Sequence, residues 1–507
     1  KDVELNDVLI LDHHKDSMIY VSSLTSSFKD LKAVLHSEYK LQKTSLTDGF
    51  LRMATYEGDS TNNLTLFVRA FDSGKESETT FKLSAPKLLL ENIDFTLVDE
   101  NKDIEPIVYY YGISGELNEF SLIGSEVKAL IRKVKIPKNH LVPVILFKTD
   151  FLYSDNRMEC LNTSLYTENS NIDADIVFEY GEGDMSDFNN KVTIDATFKE
   201  ANLALVDLNQ LYSEFGTKDI IHFQTHAIGT INDFQLNKLV LTTERKSEFV
   251  GDLSIQHVMD PELFALQGDI DKIATNYDNL NRLLPRILGK NLPESLRDMG
   301  TIKAAGNIDL TRDEVNANIS STSNFGVLNT DISLINLSRK DGMRYRGTVD
   351  LRDFRIGKFV KDPKMGNISL KGEVNGQGFT INTINTTVIG HISKYEYNDY
   401  TYKNIDVNGV FENRLINGEL NVNDPNLQMK FSGLADFEGE VNKFDFSTDV
   451  IFSDFKQLNL YNKYEKSILK GKIDFINFIY KRCPNYWAPF LLAFKYSLVF
   501  VKCPQLF

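Results

Sequence analysis

Apolar and polar residues alternate with a period of two along most of the chain, and no other feature restricts the fold so strongly. Phe444, Phe446, Thr448, Val450 and Phe452 alternate with Asp445, Ser447, Asp449 and Ile451. Val192, Ile194, Ala196 and Phe198 alternate with Thr193, Asp195 and Thr197, and Leu427, Met429 and Phe431 with Gln428, Lys430 and Ser432. Successive side chains of an extended strand point to opposite faces, so each run is a strand with one apolar and one polar face. Asn, Gly and Asp punctuate the runs about every eight to twelve residues, as in antiparallel meanders. Pro is scarce inside the runs, which suits paired strands. About forty strands at about 4.8 Å spacing would stack into a sheet on the order of 190 Å long.

A four-residue pattern recurs along these strands: Gly, any residue, an apolar residue, then Asp or Asn. It begins at Gly115, Gly229, Gly268, Gly306, Gly347, Gly372, Gly418 and Gly471. Several spacings lie near forty residues and others are 25, 53 and 114, which is a degenerate structural repeat. Two short amphipathic helices interrupt the strands. Asp207 is placed to N-cap the first, about 207–215, whose apolar side is Leu208, Leu211, Tyr212 and Phe215 and whose stop is Gly216. The second covers about 277–299, with Leu280, Leu283, Leu284, Ile287 and Leu288 as one stripe, broken by Pro285 and Pro293. It is read as a cover for an open end or edge of the sheet, or as a gate over a groove.

Residues 1–477 read as one continuous repetitive β region. Residues 478–507 differ: they contain no Asp or Glu, although the chain has 71. They hold Trp487, Cys483 and Cys503, and read as a frameshifted or mis-called gene end; Pro489 and Lys495 make a poor spanning helix. The start at Lys1 reads as mid-strand sequence, as in a fragment of a longer protein.

Composition narrows the function classes. The 507 residues carry 71 acidic side chains against 56 Lys and Arg, a net charge of -15, which argues against nucleic acid as a partner. Three cysteines exclude a disulfide scaffold and a Cys-based zinc site. His222 and His226 share a face but lie about 13 Å apart along a strand, and His13 and His14 point to opposite faces if extended. Gly376-Gln377-Gly378 lacks the third Gly and the helix of a dinucleotide fingerprint. No Walker loop or HExxH motif occurs. The acidic residues are spread over polar strand faces, which is a solvated surface and no paired-carboxylate site. No cofactor, metal or catalytic residue is expected, and the chain is not read as an enzyme.

Five stretches together resemble a known family. They are Tyr56-Glu57-Gly58-Asp59 with Asn63-Leu64; Asn92-Ile93-Asp94-Phe95-Thr96-Leu97-Val98-Asp99-Glu100; and Leu205-Val206-Asp207-Leu208-Asn209 with Tyr212-Ser213-Glu214-Phe215-Gly216. The others are Leu283-Leu284-Pro285 to Leu292-Pro293, closed by Gly300, and Tyr400-Thr401-Tyr402-Lys403-Asn404-Ile405 with Gly409 and Gly418-Glu419-Leu420. In order and spacing these resemble the TamB proteins of the Bacteroidetes type, within the AsmA-like superfamily, over most of residues 1–477. The resemblance implies a long twisted antiparallel β-sheet curled into a taco or open tube with a hydrophobic interior. It implies a periplasmic, cell-envelope location with an inner-membrane anchor. It also implies phospholipid transport toward the outer membrane, support of outer-membrane protein assembly, and a TamA-like outer-membrane barrel as partner. The anchor and the partner-binding end are expected outside this segment, so those roles fall on no residue here.

A sheet with one apolar face must cover it, close on itself or fill it with ligand. Acyl chains suit such a face, because their burial is non-directional and scales with area. The residues expected to line a lipid groove are Val192, Ile194, Phe198, Leu427, Met429, Phe431, Phe444, Phe446, Val450 and Phe452. The competing reading of the same residues is an ordinary sandwich core. A second function class is a β-rich scaffold or chaperone that binds unfolded outer-membrane strands by edge addition.

Overall fold

The computed structural model describes residues 2–27, 38–69, 82–101, 108–139, 142–211, 213, 215–283, 285–286, 295–337, 342–360, 362–378, 383–412, 415–436, 441–460 and 467–481. They form twenty-seven strands and a few short helices, a mainly β protein built on open sheet. The strands run to 10–18 residues in most cases, longer than the punctuation suggests, so fewer are made than the forty expected. The last described strand, Ile468–Lys481, continues past residue 477.

The protein divides into two compact units, Lys1–Phe264 with Tyr277–Leu292 and Ala265–Asn276 with Pro293–Phe507. Most strands pair antiparallel with a neighbour in sequence, and the departures lie in the first unit, where Ser17–Ser27 pairs with Lys43–Thr55, Glu126–Ile136 pairs with Val144–Tyr153, and Glu38–Lys40 runs parallel to the start of Lys82–Asp99. In the first unit Lys43–Thr55 runs parallel to Lys82–Asp99, in register from Lys43 opposite Lys87 to Thr55 opposite Asp99. A parallel pair needs a crossover, and the helix Asn63–Arg69 lies on that connection.

Each unit bends its sheet by a different local device. In the first unit, irregularities in alternate strands line up. Arg132 and Lys133 oppose Lys148, Leu161 and Asn162 oppose Asp175, Lys199 and Glu200 oppose Gln224, and Asn237 and Lys238 oppose Asp252. A bulge bends its strand and strengthens the local twist, so four in line make a crease. Asn162 and Lys238 take positive φ there, 50° and 52°. Their amides donate to Asp175 Oδ1 at 2.7 Å and Asp252 Oδ1 at 2.6 Å, which replaces the lost ladder bonds. On the opposite, inner face the crease is lined by Thr149, Thr163, Ala174, Thr225 and Leu239, all buried. The Thr149 and Thr163 hydroxyls pair at 2.8 Å, and Thr225 donates to the Asn237 carbonyl at 3.0 Å.

In the second unit six successive strands each place one glycine in two adjacent cross-strand rows. These are Gly347, Gly372, Gly390, Gly409, Gly418 and Gly433, with Gly372 opposite Gly390 and Gly409 opposite Gly418, which in turn opposes Gly433. Three of them, Gly347, Gly372 and Gly418, begin copies of the recurring sequence pattern, and the apolar residue two positions on shares the glycine's face. A Cβ on Gly372 would stand 2.5 Å from the Ile389 carbonyl oxygen, and one on Gly390 2.7 Å from that of Lys371. A Cβ on Gly347 would overlap the Asp331 carbonyl, whereas one on Gly409 would stand 3.1 Å from the Asn417 carbonyl oxygen, a tight contact that a small shift relieves. The seam therefore exists because neighbouring backbones approach too closely for a side chain on that side.

Gly347→Ala is expected to lower stability by about 1–3 kcal/mol through overpacking, and Gly409→Ala by less than half of that. Urea titration of the two variants checks the order; equal midpoints would remove the seam as an explanation.

Candidate functional site

The inner face of the first unit carries continuous apolar rows on both sides of its crease. On one side the register aligns Phe151, Cys160, Ile176, Ala196, Ala227, Leu236 and Leu253. On the other it aligns Phe147, Leu165, Ile172, Ala201, Phe223, Leu241 and Phe249. Among these only Ala196 and Ala201 are buried, and every large side chain of the two rows remains half-covered. Ile194 and Phe198 stand on the same face, also half-covered, and Phe198 meets the Phe223 ring at 5.3 Å. Cys160 is part of this face. Burial pushes its thiol up, so it stays protonated and packs as a small apolar group. Val192 lies just before the strand Thr193–Ala204 and is completely buried, so it does not line the face.

The opposite face of these strands is a polar ladder. Arg132 donates to Asp150 at 2.9 Å, Asn162 donates to the other oxygen of Asp150 at 2.9 Å, and Lys199 pairs with Asp175 at 2.5 Å. Hydrogen bonds from Asn162 and Arg132 hold the Asp150 carboxyl below the usual range, and Lys199 does the same for Asp175. His222 bonds to Asn202, while His226 bonds to Asp195 at 2.8 Å, so these two histidines serve separate cross-strand pairs.

The expected residues of the second unit are packed more tightly. Met429, Phe431, Phe444 and Val450 are buried. Met429 and Phe431 cluster with Val422, and Ile405, Leu420, Leu427 and Phe446 pack around them. Beside them, Tyr402, Phe455 and Leu458 form a second buried cluster, fastened by Asp424, which accepts from Tyr400 at 2.5 Å and from the amides of Lys403 and Asn426. Burial, with the hydrogen bond to Asp424, pushes the Tyr400 hydroxyl up to about 12. Phe452 does not continue the inner row. Ile451 and Phe452 together oppose Gln428, so Ser453 takes the place beside Leu427, and Lys470 lies over the Phe452 ring at 5.6 Å. A two-residue alternation cannot reveal that slip, because the bulge inserts one residue without changing composition. On the polar side of the same strands lies a shallow concavity of about 850 Å³, with His391, Asp406, Asn421, Lys430 and Asp449 in its lining.

The first expected helix and the first piece of the second fall in the first unit. The first runs Leu205–Leu211, starting two residues before the expected N-cap. Asp207 is inside it and buried, accepting from Thr167 at 2.7 Å, Asn169 at 3.1 Å and Ser170 at 2.5 Å, so it ties the helix to a neighbouring hairpin turn. Tyr212 is outside the described residues. The second expected helix is described as Tyr277–Leu283 and Ser295–Asp298. Leu280 and Leu283 are half-covered, while Leu284, Ile287 and Leu288 lie outside the described residues. The helix Tyr277–Leu283 is pinned. Arg282 donates to Asp219 at 3.0 and 3.2 Å, Arg245 adds a third bond at 3.3 Å, and the Gly216 amide donates to the Leu283 carbonyl at 3.0 Å. Residues 482–507 are outside the described residues. Among the described residues no helix is long and apolar enough to cross a membrane.

No family model, no curated protein and no solved structure matches this chain.

Two outcomes follow from these contacts. Arg282 above all, and then Arg245, hold the Asp219 carboxyl below its ordinary value. A depressed carboxyl stabilises the fold above its unfolded value and loses that contribution as pH falls through its folded one. Asp219→Asn should therefore cost about 2 kcal/mol at neutral pH and much less in strong acid, read from urea midpoints across pH. Thr448 is buried among Phe431 and its neighbours with no hydrogen-bond partner among the described residues. Thr448→Val should raise stability by about 1 kcal/mol in the same assay, and a loss would mean that its hydroxyl is satisfied.

Proposed function

We propose that this protein carries lipid acyl chains along the apolar face of its sheet, as a lipid-conducting segment of a TamB-like envelope protein. The observation that supports this is the incomplete covering of that face in the first unit. From Phe147 to Phe249 the rows cross seven strands, about 29 Å at the usual strand spacing. The large apolar side chains along them stay half-covered, while at the crease between them Thr149, Thr163, Ala174, Thr225 and Leu239 are buried. A packed sandwich core would bury the large residues first. An acyl chain laid in the crease gains about 0.8 kcal/mol for each CH₂ removed from water and needs no directional partner. The rows offer no charged residue to hold a head group, so the chain is free to slide with its head group in water.

The family resemblance gives this activity its setting: phospholipid movement across the periplasm toward the outer membrane, an inner-membrane anchor, and docking to a TamA-like barrel. The helix Tyr277–Leu283, fastened through Asp219, acts in this reading as a fixed cover at one end of the strands. A second reading is favoured by the strand Asp2–Leu11, whose Leu5, Leu9 and Leu11 are 47%, 51% and 48% exposed. Among the described residues this strand pairs on one side only, with Ser17–Ser27. Such an edge accepts an extended peptide by strand addition.

Native mass spectrometry of the full chain from a bacterial host tests the first reading. Several phospholipids per chain are expected, and Phe198→Asp with Phe223→Asp should remove them while the far-ultraviolet circular dichroism stays that of a β protein. A folded wild-type chain without lipid would overturn it. Peptide binding that survives both substitutions would support strand addition instead.

A further inference from the structure

The extended reading of His13 and His14 separates them, but residues 13–15 form a turn with Lys15 at φ 69°. That turn aims both imidazoles at one carboxylate. His13 Nε2 lies 2.9 Å and His14 Nε2 3.3 Å from the same oxygen, Asp59 Oδ2. These three atoms lie within 4.8 Å of one another. Four ligands at zinc's bond lengths of about 2.0–2.1 Å stand about 3.3 Å apart along the edges of a tetrahedron. The two histidine–aspartate spacings are already close to that figure.

The surroundings fix the two sides separately. On the turn, Asp12 Oδ1 accepts from the amides of His14 and Asp16, both at 3.0 Å. On the facing loop, Asp59 donates its amide to the Tyr56 carbonyl at 3.0 Å, and Asn101 binds the Asp59 carbonyl at 3.1 Å. Tyr56 joins the two: its hydroxyl donates to Asp12 at 2.6 Å, with Asp16 at 3.0 Å, and its ring lies 4.1 Å from that of His14. Arg52 is engaged with Glu100 at 3.1 Å. His13 and His14 are exposed, which leaves room for a fourth ligand from water.

We propose that His13, His14 and Asp59 form a zinc-binding site that ties the first hairpin to the loop after the strand Lys43–Thr55. Two imidazoles and a carboxylate suit Zn²⁺, and the metal takes the place of the protons now shared with Asp59. The site is separate from the apolar face and does not depend on lipid carriage.

Calorimetric titration of the full, metal-stripped chain with Zn²⁺ tests the site. One equivalent should bind, and Co²⁺ in its place should show the visible absorption of a four-coordinate ion, removed by one equivalent of Zn²⁺. His13→Ala, His14→Ala and Asp59→Asn should each weaken binding roughly a hundredfold. The His222→Ala/His226→Ala variant should bind as the wild type does. Circular dichroism confirms that each variant is folded. No stoichiometric binding, or binding that persists in the triple variant, would overturn the proposal.

Discussion

A β-sheet can curl across its strands only where neighbouring backbones can come close on the inner side of the bend. That steric limit organises both units. The first meets it with bulges in alternate strands and with Thr149, Thr163, Ala174 and Thr225 on the inner face. The second meets it with one glycine in each of six successive strands. In both units the alternation puts the apolar residues on one face of the sheet and the polar residues on the other. A one-residue shift of any of these strands would turn its apolar set outward, so bend and register support each other.

The two apolar faces are covered to different degrees, and that difference matters more than their shared composition. Tyr402 packs with Phe455 and Leu458, and Met429 and Phe431 pack with Val422, so this part of the face behaves as a conventional core. Between Phe147 and Phe249 no large residue of the rows is fully buried. Full burial of such a side chain contributes about 1.5–3 kcal/mol, and part of this is left unrealised at each position. A ligand with the length and dryness of an acyl chain recovers it across many positions at once. Ile194 and Phe198 therefore belong to the open face, whereas Phe431 and Phe444 hold the structure together.

Much of the fold is legible in the residues because the alternating period is a direct image of the strand. The mainly β class and the single apolar face follow from it. What it hides has particular causes. Asn162 and Lys238 occupy bulges, and nothing in their identity announces positive φ. Phe452 keeps the spacing of its neighbours but follows an inserted residue. The parallel pairing of Lys43–Thr55 with Lys82–Asp99 is a long-range choice, invisible to local pattern. Asp207 looks like a cap because it precedes an apolar helix face, yet three donors from another hairpin draw it into a buried latch. His13 and His14 are misread for a related reason: turn geometry, and not strand geometry, decides what two adjacent side chains share.

These latches also change the meaning of the chain's acidity. Buried or shielded carboxylates fasten the ends of strands at four places. Asp12 takes Tyr56 and Asn63, Asp207 takes Thr167, Asn169 and Ser170, Asp219 takes Arg245 and Arg282, and Asp424 takes Tyr400 and two backbone amides. Burial opposes ionisation of Asp12, but the bonds from Asn63 and Tyr56 more than offset it and keep its carboxyl below the ordinary value. Strand faces are fully used by the apolar and polar alternation, so specific polar chemistry collects where strands end. Part of the excess of acidic residues is accordingly internal fastening. A sheet whose apolar face is only half-covered cannot rely on a closed core for rigidity. Carboxylate latches at the strand ends supply a fixed frame without filling the groove.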